Sequence, residues 1–217
     1  KRSGAYSNGG AFDVHPYILM NYNGQYNEVS TLTHELGHTM HSYYSNKTQP
    51  YPLADYSIFN AEVASTFNEV LLFENMKTKV TDRDQKLALL MDWLDRFKGT
   101  LFRQTQFAEF ELAIHEMADR GEPLTGEVLT KVYGDILKKY YGHDQGVCVI
   151  DKNCDMEWAF IPHFYNRFYV YQYSTSFTAS MSLAADVLAH KPGATDRYMA
   201  YLGSGGSKLP IDLLKDA

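Results

Sequence analysis

Two histidines four residues apart, with a glutamate directly after the first, are the residues best suited to chemistry. His34, Glu35 and His38 form the pattern H-E-x-x-H. Positions i and i+4 of a helix lie on one face, so both imidazoles can bind one metal ion. Glu35 is then close enough to accept a proton from a water molecule at the metal. The alternative is two histidines on a buried or capped helix, with no metal between them.

The flanking residues predict the helix that positions this motif. Apolar side chains recur at steps of three and four residues, at Val29, Leu32, Leu36, Met40 and Tyr43 or Tyr44. Asn27 or Ser30 is a suitable N-cap, and the stretch from Asn46 to Pro52 predicts the end of the helix. Gly37 inside it is unfavourable by about 1 kcal/mol relative to alanine. Close approach of another backbone or of substrate would explain this glycine, and so would ordinary tight helix packing.

A catalytic zinc site needs a third protein ligand and an open position. The next predicted helix, within residues 59–73, carries Glu62 and Glu69 two turns apart, with Ser65 or Thr66 between them. One carboxylate on that face could bind the metal, and the second could accept the free ring N–H of a ligand histidine. A solvated helix face is the alternative. The upstream motif favours Glu62 as the ligand, beside His34 and His38.

These two segments carry a family resemblance. The pairing of H-E-L-G-H at 34–38 with E-V-A-S-T-F-N-E at 62–69 resembles oligoendopeptidase F, among the thimet-oligopeptidase-like zinc metallopeptidases. The resemblance also includes residues 1–6, 161–165, 172–174 and 205–210. It implies one zinc per chain, Glu62 as the third zinc ligand, and Glu69 as a carboxylate that supports a ligand histidine. The implied activity is hydrolysis of short peptides, with Glu35 as the general base.

The aromatic segment 162–175 is a second candidate for catalysis. His163 and the tyrosines can donate hydrogen bonds to an oxyanion, although aromatic residues at helical spacing more often form a core. In the enzymes that the chain resembles, a histidine followed by tyrosines closes over the substrate carbonyl. His163 matches that histidine, Tyr171 aligns with the distal tyrosine, and Tyr165 aligns with the proximal tyrosine only through a gap.

The remaining candidate residues support the metal site or contact the substrate. Ser65 and His41 are candidates to support the ligands, with a merely packed or exposed role as the alternative for His41. An extended peptide would pair with the backbone of a strand near residues 5–14, where Gly4, Ala5 and Tyr6 are the predicted contacts.

Composition limits the remaining classes of function. The 217 residues are 45% hydrophobic and 21% charged, which is typical of a folded domain and not of a disordered chain. A net charge of −6 argues against a nucleic-acid partner. No apolar run is long enough to predict a membrane span, and no signal peptide is visible. Cys148 and Cys154 lie in or beside one loop and could pair or stay reduced. The expected location is cytoplasmic.

The predicted fold is mainly α, a helical zincin-like catalytic domain with a small β-hairpin beside the metal helix. Residues 1–28 form the β-rich element, with strands at 11–16 and 17–22 and a turn at Asn23-Gly24, and residues 29–217 are helical. The apolar pattern predicts one long helix over 81–120, ended by 121–123, and further helices over 125–141 and 167–189.

The length of the chain indicates which part of a longer enzyme it represents. The enzymes that it resembles are much longer than 217 residues, and we expect it to be the C-terminal catalytic portion, trimmed at both ends. In those enzymes the rest of the chain forms the opposite wall of a substrate channel. We therefore expect the isolated piece to be weakly active or inactive and to self-associate through exposed apolar surface. The alternative function is a non-catalytic, zinc-binding structural fragment.

Overall fold

The computed structural model describes residues 4–217, so the first three residues of the family resemblance lie outside the described part. Most of the described residues are helical, and a two-stranded antiparallel sheet precedes the helices in the sequence. This confirms the predicted mainly α fold. The contacts divide the chain into two units. One comprises the residues up to Leu94 together with Thr175–Ala217, and the other comprises Asp95–Ser174. Each unit has its own hydrophobic core.

The bounds of the strands and helices follow the chain. They are β1 Ala5–Asn8, β2 Tyr17–Met20, α1 Tyr26–Thr48, α2 Tyr51–Ala54, α3 Ile58–Lys79, α4 Arg83–Arg96, α5 Arg103–Asp119, α6 Gly126–Tyr141, α7 Tyr171–Leu188, α8 Ala194–Leu202 and α9 Pro210–Asp216. Residues 97–102 between α4 and α5 take the wider π form, and 3-10 turns cover Lys152–Phe160 and Pro162–Tyr165.

The hairpin is formed by different residues from those predicted. Ala5 pairs with Met20 and Asn8 with Tyr17, so the strand predicted at 11–16 is wrong. Those residues form the connection between the strands instead. The Val14 N–H donates a turn hydrogen bond to the Ala11 carbonyl at 3.1 Å, and Pro16 has no N–H to donate to a neighbouring strand. Asn23-Gly24 is not the hairpin turn but leads into α1.

The start of α1 also differs from the prediction. Its N-cap is Gln25, not Asn27 or Ser30. The Glu28 carboxylate accepts the Gln25 N–H at 2.8 Å and the Asn23 N–H at 3.0 Å, which closes a capping box one turn earlier than the apolar pattern indicates. The end of α1 at Thr48 agrees with the prediction.

The core of the first unit forms around α3. Val63, Phe67 and Val70 of α3 are buried together with residues of α7, α8 and α9, namely Ala184, Tyr198, Tyr201, Leu202 and Leu213. The Tyr201 hydroxyl also donates to the Asn60 carbonyl at 3.1 Å. This packing holds α3 in place, and α3 carries Glu62 and Glu69.

The second unit is built mainly on α5 and α6. Its core consists of Phe107, Phe110, Tyr133, Leu137 and Val170. The predicted helix over 125–141 is confirmed, with the Thr125 hydroxyl as the N-cap acceptor. Cys148 and Cys154 are both free and exposed.

The predicted start of α7 at residue 167 is wrong. Phe168 adopts a positive φ of 58°, which no helix residue takes, and its N–H donates to the buried Glu111 carboxylate at 2.5 Å. The helix therefore begins only at Tyr171. Within residues 4–217, no helix combines the length and the apolar character that crossing a membrane requires.

Candidate metal centre

Three side chains from two neighbouring helices converge on one point. His34 and His38 of α1 have their Nε2 atoms 3.2 Å apart, and the Oε2 atom of Glu62 on α3 lies 3.3 Å from the first and 3.5 Å from the second. Two ligand atoms of a tetrahedral ion at zinc distances lie about 3.3 Å apart. The arrangement therefore fits a metal ion bound by all three side chains. Within the described part of the chain, no fourth His, Cys, Asp or Glu side chain joins this group.

The ligand candidates are oriented by two further residues of α3. The Oε1 atom of Glu69 lies 2.6 Å from Nδ1 of His34, the ring nitrogen that faces away from the metal position. The Ser65 hydroxyl donates to Oε2 of Glu62 at 3.0 Å. Such contacts fix the tautomer of an imidazole and the rotamer of a carboxylate. Glu62, Ser65 and Glu69 recur at helical spacing, so one face of α3 supplies all of them.

The electrostatics of the cluster reflect the mutual attraction of these groups. Burial lowers the pKa of His34, but hydrogen bonds to Glu62 and Glu69 outweigh burial and raise this pKa to about 10. Burial alone would raise the pKa of Glu62, whereas its hydrogen bonds with His34 and His38 bring it far below its usual value. A metal ion that binds here must displace the proton of His34, so the affinity for metal should increase with pH.

Glu35 follows His34 directly on α1. The residue is buried, with 7% of its surface exposed. His34 and Glu62 keep about 25% and 14% of their side-chain surface exposed, so the metal position can be reached from solvent. Proton exchange by Glu35 with a molecule that enters from that side stays a prediction.

Gly37 allows α1 and α3 to come close enough for these contacts. A Cβ atom at this position would lie 2.5 Å from both the Ala64 carbonyl oxygen and the Ser65 Cα atom. The space beside Gly37 is thus filled by the backbone of α3, not by substrate. Of the explanations that the sequence left open, close backbone approach in tight helix packing accounts for this glycine.

We expect Gly37→Ala to destabilise the protein by about 1–3 kcal/mol, since the added methyl must push α3 away from α1. The same displacement separates Glu62 from His34 and His38, so metal affinity should fall as well. Gly99→Ala is the matched control, because nothing lies within 4 Å of a Cβ atom at Gly99. Chemical denaturation and metal titration of both variants measure the two effects. Unchanged values for Gly37→Ala would contradict the tight packing described above.

His41 is packed and not exposed. Its ring stacks on Tyr56 with the centroids 3.7 Å apart, it is 1% exposed, and its Nδ1 atom has no hydrogen-bond partner within residues 4–217. Burial, together with the charge of His38, lowers the pKa of His41 to about 3. His41 is therefore neutral at pH 7, and its ring packs between α1 and the rings of Tyr56 and Tyr201.

The other predicted catalytic residues lie in the second unit. The His163 ring is stacked 5.9 Å from that of Tyr169, whose hydroxyl is 2.6 Å from the Tyr173 hydroxyl. Tyr165 is 90% exposed and Tyr171 is 40% exposed. All of these belong to residues 95–174, whereas the metal ligands belong to the first unit. The roles of His163, Tyr165 and Tyr171 stay predictions.

Sequence reasoning missed Tyr56, which packs on the site. Besides stacking on His41, its hydroxyl hydrogen-bonds the Ser42 hydroxyl at 2.8 Å. This hydrogen bond joins the segment before α3 to α1 across 14 residues, and no local spacing predicts it. The one feature of the sequence that could have indicated Tyr56 is its position six residues before Glu62, because a segment that leads directly to a ligand must pass near the metal helix.

Comparison with known proteins places this chain in a family. The model of peptidase family M3 matches residues 1–217. Oligopeptidase PepF of Bacillus subtilis is 52% identical over the whole chain, which covers 32% of that protein. The chromosomal oligoendopeptidase F of Lactococcus lactis subsp. cremoris is 45% identical, with 35% of its length covered. The crystal structure of oligoendopeptidase F from Enterococcus faecium is 42% identical, with a TM-score of 0.74 over 88% of this chain and 34% of that one.

The chain therefore belongs to peptidase family M3, and it carries three side chains that could hold a metal ion. The resemblance to oligoendopeptidase F, indicated by residues 34–38 and 62–69, is confirmed. The chain spans about a third of the length of the relatives described above.

Proposed function

We propose that this chain is the catalytic portion of a zinc endopeptidase that hydrolyses short peptides. The observation that carries the proposal is the convergence of the His34, His38 and Glu62 donor atoms, which lie 3.2–3.5 Å apart. A set of two imidazoles and one carboxylate is typical of catalytic zinc. A structural zinc site usually has four protein ligands, so three donors favour catalysis over a structural role.

The chemistry of the chain's own residues follows from their positions. His34, His38 and Glu62 would hold the zinc ion, which supplies Lewis acidity and brings a water molecule to the site. Glu35 accepts a proton from the attacking water and later delivers it to the leaving amine. Glu69 holds the His34 ring in place through Nδ1, and Ser65 fixes the ligand oxygen of Glu62. His163 and Tyr171, with Tyr165, are proposed to donate hydrogen bonds to the carbonyl oxygen as charge develops on it.

The outer edge of β1 is the proposed site for the peptide backbone. The Gly4 carbonyl accepts the Asn21 N–H at 3.4 Å, so Gly4 and Tyr6 direct their backbone groups towards β2. In an antiparallel ladder the alternate residues Ala5 and Ser7 then direct theirs to the opposite edge. The Ser7 hydroxyl forms a hydrogen bond with the Thr39 hydroxyl of α1 at 2.9 Å, which keeps the edge of β1 beside the metal helix. An extended peptide can add to the edge as a further strand.

The test is an assay of peptide cleavage with mapping of the products by mass spectrometry. We expect the full-length enzyme that contains this chain to cut internal bonds of short peptides, and removal of metal by a chelator to abolish the cleavage. The 217-residue chain alone should cleave far more slowly, because substrate positioning can contribute about 7–11 kcal/mol to lowering the barrier. Cleavage that a chelator leaves intact would refute the zinc mechanism.

A further inference from the structure

A polar cavity of about 560 Å³ opens beside the C-terminal end of β1. Three segments of the first unit enclose it. These are the strand end and loop at residues 7–12, the α1 residues Ser42 and Asn46, and the segment 51–56 that leads into α3. Of the residues that line the cavity, the proposed function uses only Ser7, through its backbone edge and through the hydrogen bond of its hydroxyl to Thr39.

The cavity lies along the same helix as the metal ligands. Ser42 is one turn beyond His38, and Asn46 is one turn further, so they lie about 6 and 12 Å along the α1 axis from that histidine. The hydrogen bond between Ser7 and Thr39 places the edge of β1 over the intervening turn. An extended peptide advances about 3.3 Å per residue. A peptide paired with β1 would thus reach the cavity about two to four residues from the bond held at the metal.

The shape of the cavity depends on a close approach of the loop to α1. A Cβ atom at Gly9 would lie 2.4 Å from the Ser42 Cβ atom, so only glycine allows the chain to pass so near. The Asn46 amide donates to the Gly9 carbonyl at 3.3 Å, and the Asn8 side chain accepts the Gly10 N–H at 3.0 Å. The loop is therefore fixed against the helix.

The charge of the cavity comes from a single side chain. Asp55 is the one charged residue of the lining, which otherwise offers hydroxyl, amide and aromatic groups. Its carboxylate accepts the N–H of Tyr56 at 3.0 Å, and no cation of residues 4–217 pairs with it. Tyr51 and Tyr56 line the same cavity. A cavity that holds a carboxylate and aromatic rings attracts a cation and repels an anion.

We propose that this cavity binds a positively charged nitrogen of the substrate peptide, two to four residues from the cleaved bond, with Asp55 as the counter-charge. This inference rests on the proposed function, since it assumes a peptide along β1. Antiparallel pairing, the commoner arrangement, places the N-terminal side of the peptide at this end of the strand. The charged group is then a lysine or arginine side chain or the terminal ammonium of a short peptide.

The experiment compares kcat/KM of the full-length enzyme for matched peptides. One series places lysine or norleucine at each of the second to fourth positions before the cleaved bond. Another leaves the amino terminus free or acetylates it at the same distances. For the wild type we expect a preference of about five- to tenfold for the charged member at one position. The lysine pair and the acetylated pair distinguish a side chain from a terminus.

Asp55→Asn should abolish this preference, and Asp55→Lys should reverse it. Asp13→Asn is the matched control, because Asp13 is also an exposed loop carboxylate but does not line the cavity. The same peptide pairs are measured for binding to Glu35→Gln, so that the cavity is tested without hydrolysis. A charge preference that is absent from the wild type, or that survives in Asp55→Asn, overturns the proposal. Absence of hydrolysis, together with a charge preference in binding, would refute only the enzymatic function.

Discussion

Replacing Glu35 with glutamine is expected to lower kcat for peptide hydrolysis by about 10²- to 10⁴-fold and to leave the bound metal in place. The substitution keeps the shape of the side chain but removes the group that accepts a proton from water and returns it to the amine. Glu35 is buried next to His34, whereas the donor atoms that converge on the metal position belong to His34, His38 and Glu62. Proton transfer and metal binding should therefore separate in this variant.

The measurement pairs steady-state kinetics with metal analysis of the same sample. A normal metal content with lost activity would support the role of Glu35 as the general base. Activity close to that of the wild type would show that another group moves the proton. Loss of metal together with activity would instead identify Glu35 as part of the metal site.

The second large effect concerns the two glutamates of α3. Glu62→Gln is expected to weaken zinc binding by more than about 100-fold, because it removes a charged donor atom that lies 3.3 Å from His34 Nε2. Glu69→Gln should weaken it by about 10- to 100-fold, since this carboxylate acts only through Nδ1 of His34. The order of the two effects follows from which side of the imidazole each carboxylate faces.

Competition with a chromophoric chelator measures both affinities. Glu74→Gln is a suitable control on the same helix, because Glu74 forms a surface ion pair with Lys77 at 2.6 Å. This control should bind zinc as the wild type does. Equal affinities for Glu62→Gln and wild type would remove Glu62 from the ligand set, and a larger effect at Glu69 would reverse the assignment of the two carboxylates.

The parts of this protein that local spacing determines could be predicted from the sequence. His34 and His38 share a face because they are one turn apart, and Glu62 and Glu69 share a face because they are two turns apart. The motif pair and the family resemblance indicate that these two faces meet. The structure adds the physical reason, which is that the backbone at Ala64 and Ser65 fits against the bare Gly37.

The parts that depend on distant contacts could not be predicted. The residue types at 11–16 predict a strand there, yet the pairing of Ala5 with Met20 determines which residues form the sheet. The start of α7 depends on the buried Glu111, which holds the Phe168 N–H across 57 residues. The cavity around Asp55 combines three segments, and none of them carries a motif of its own.

If His34, His38 and Glu62 form a catalytic metal centre, peptide cleavage must depend on one zinc ion per chain, which a titration of activity with zinc measures. Metal-free, full-length enzyme is mixed with increasing amounts of zinc, and peptide cleavage is measured at each ratio. We expect no activity without metal, a linear rise, and a plateau at one zinc per chain, with no rise in Glu62→Gln. Full activity of the metal-free enzyme, or the same titration curve for Glu62→Gln and wild type, would contradict this expectation.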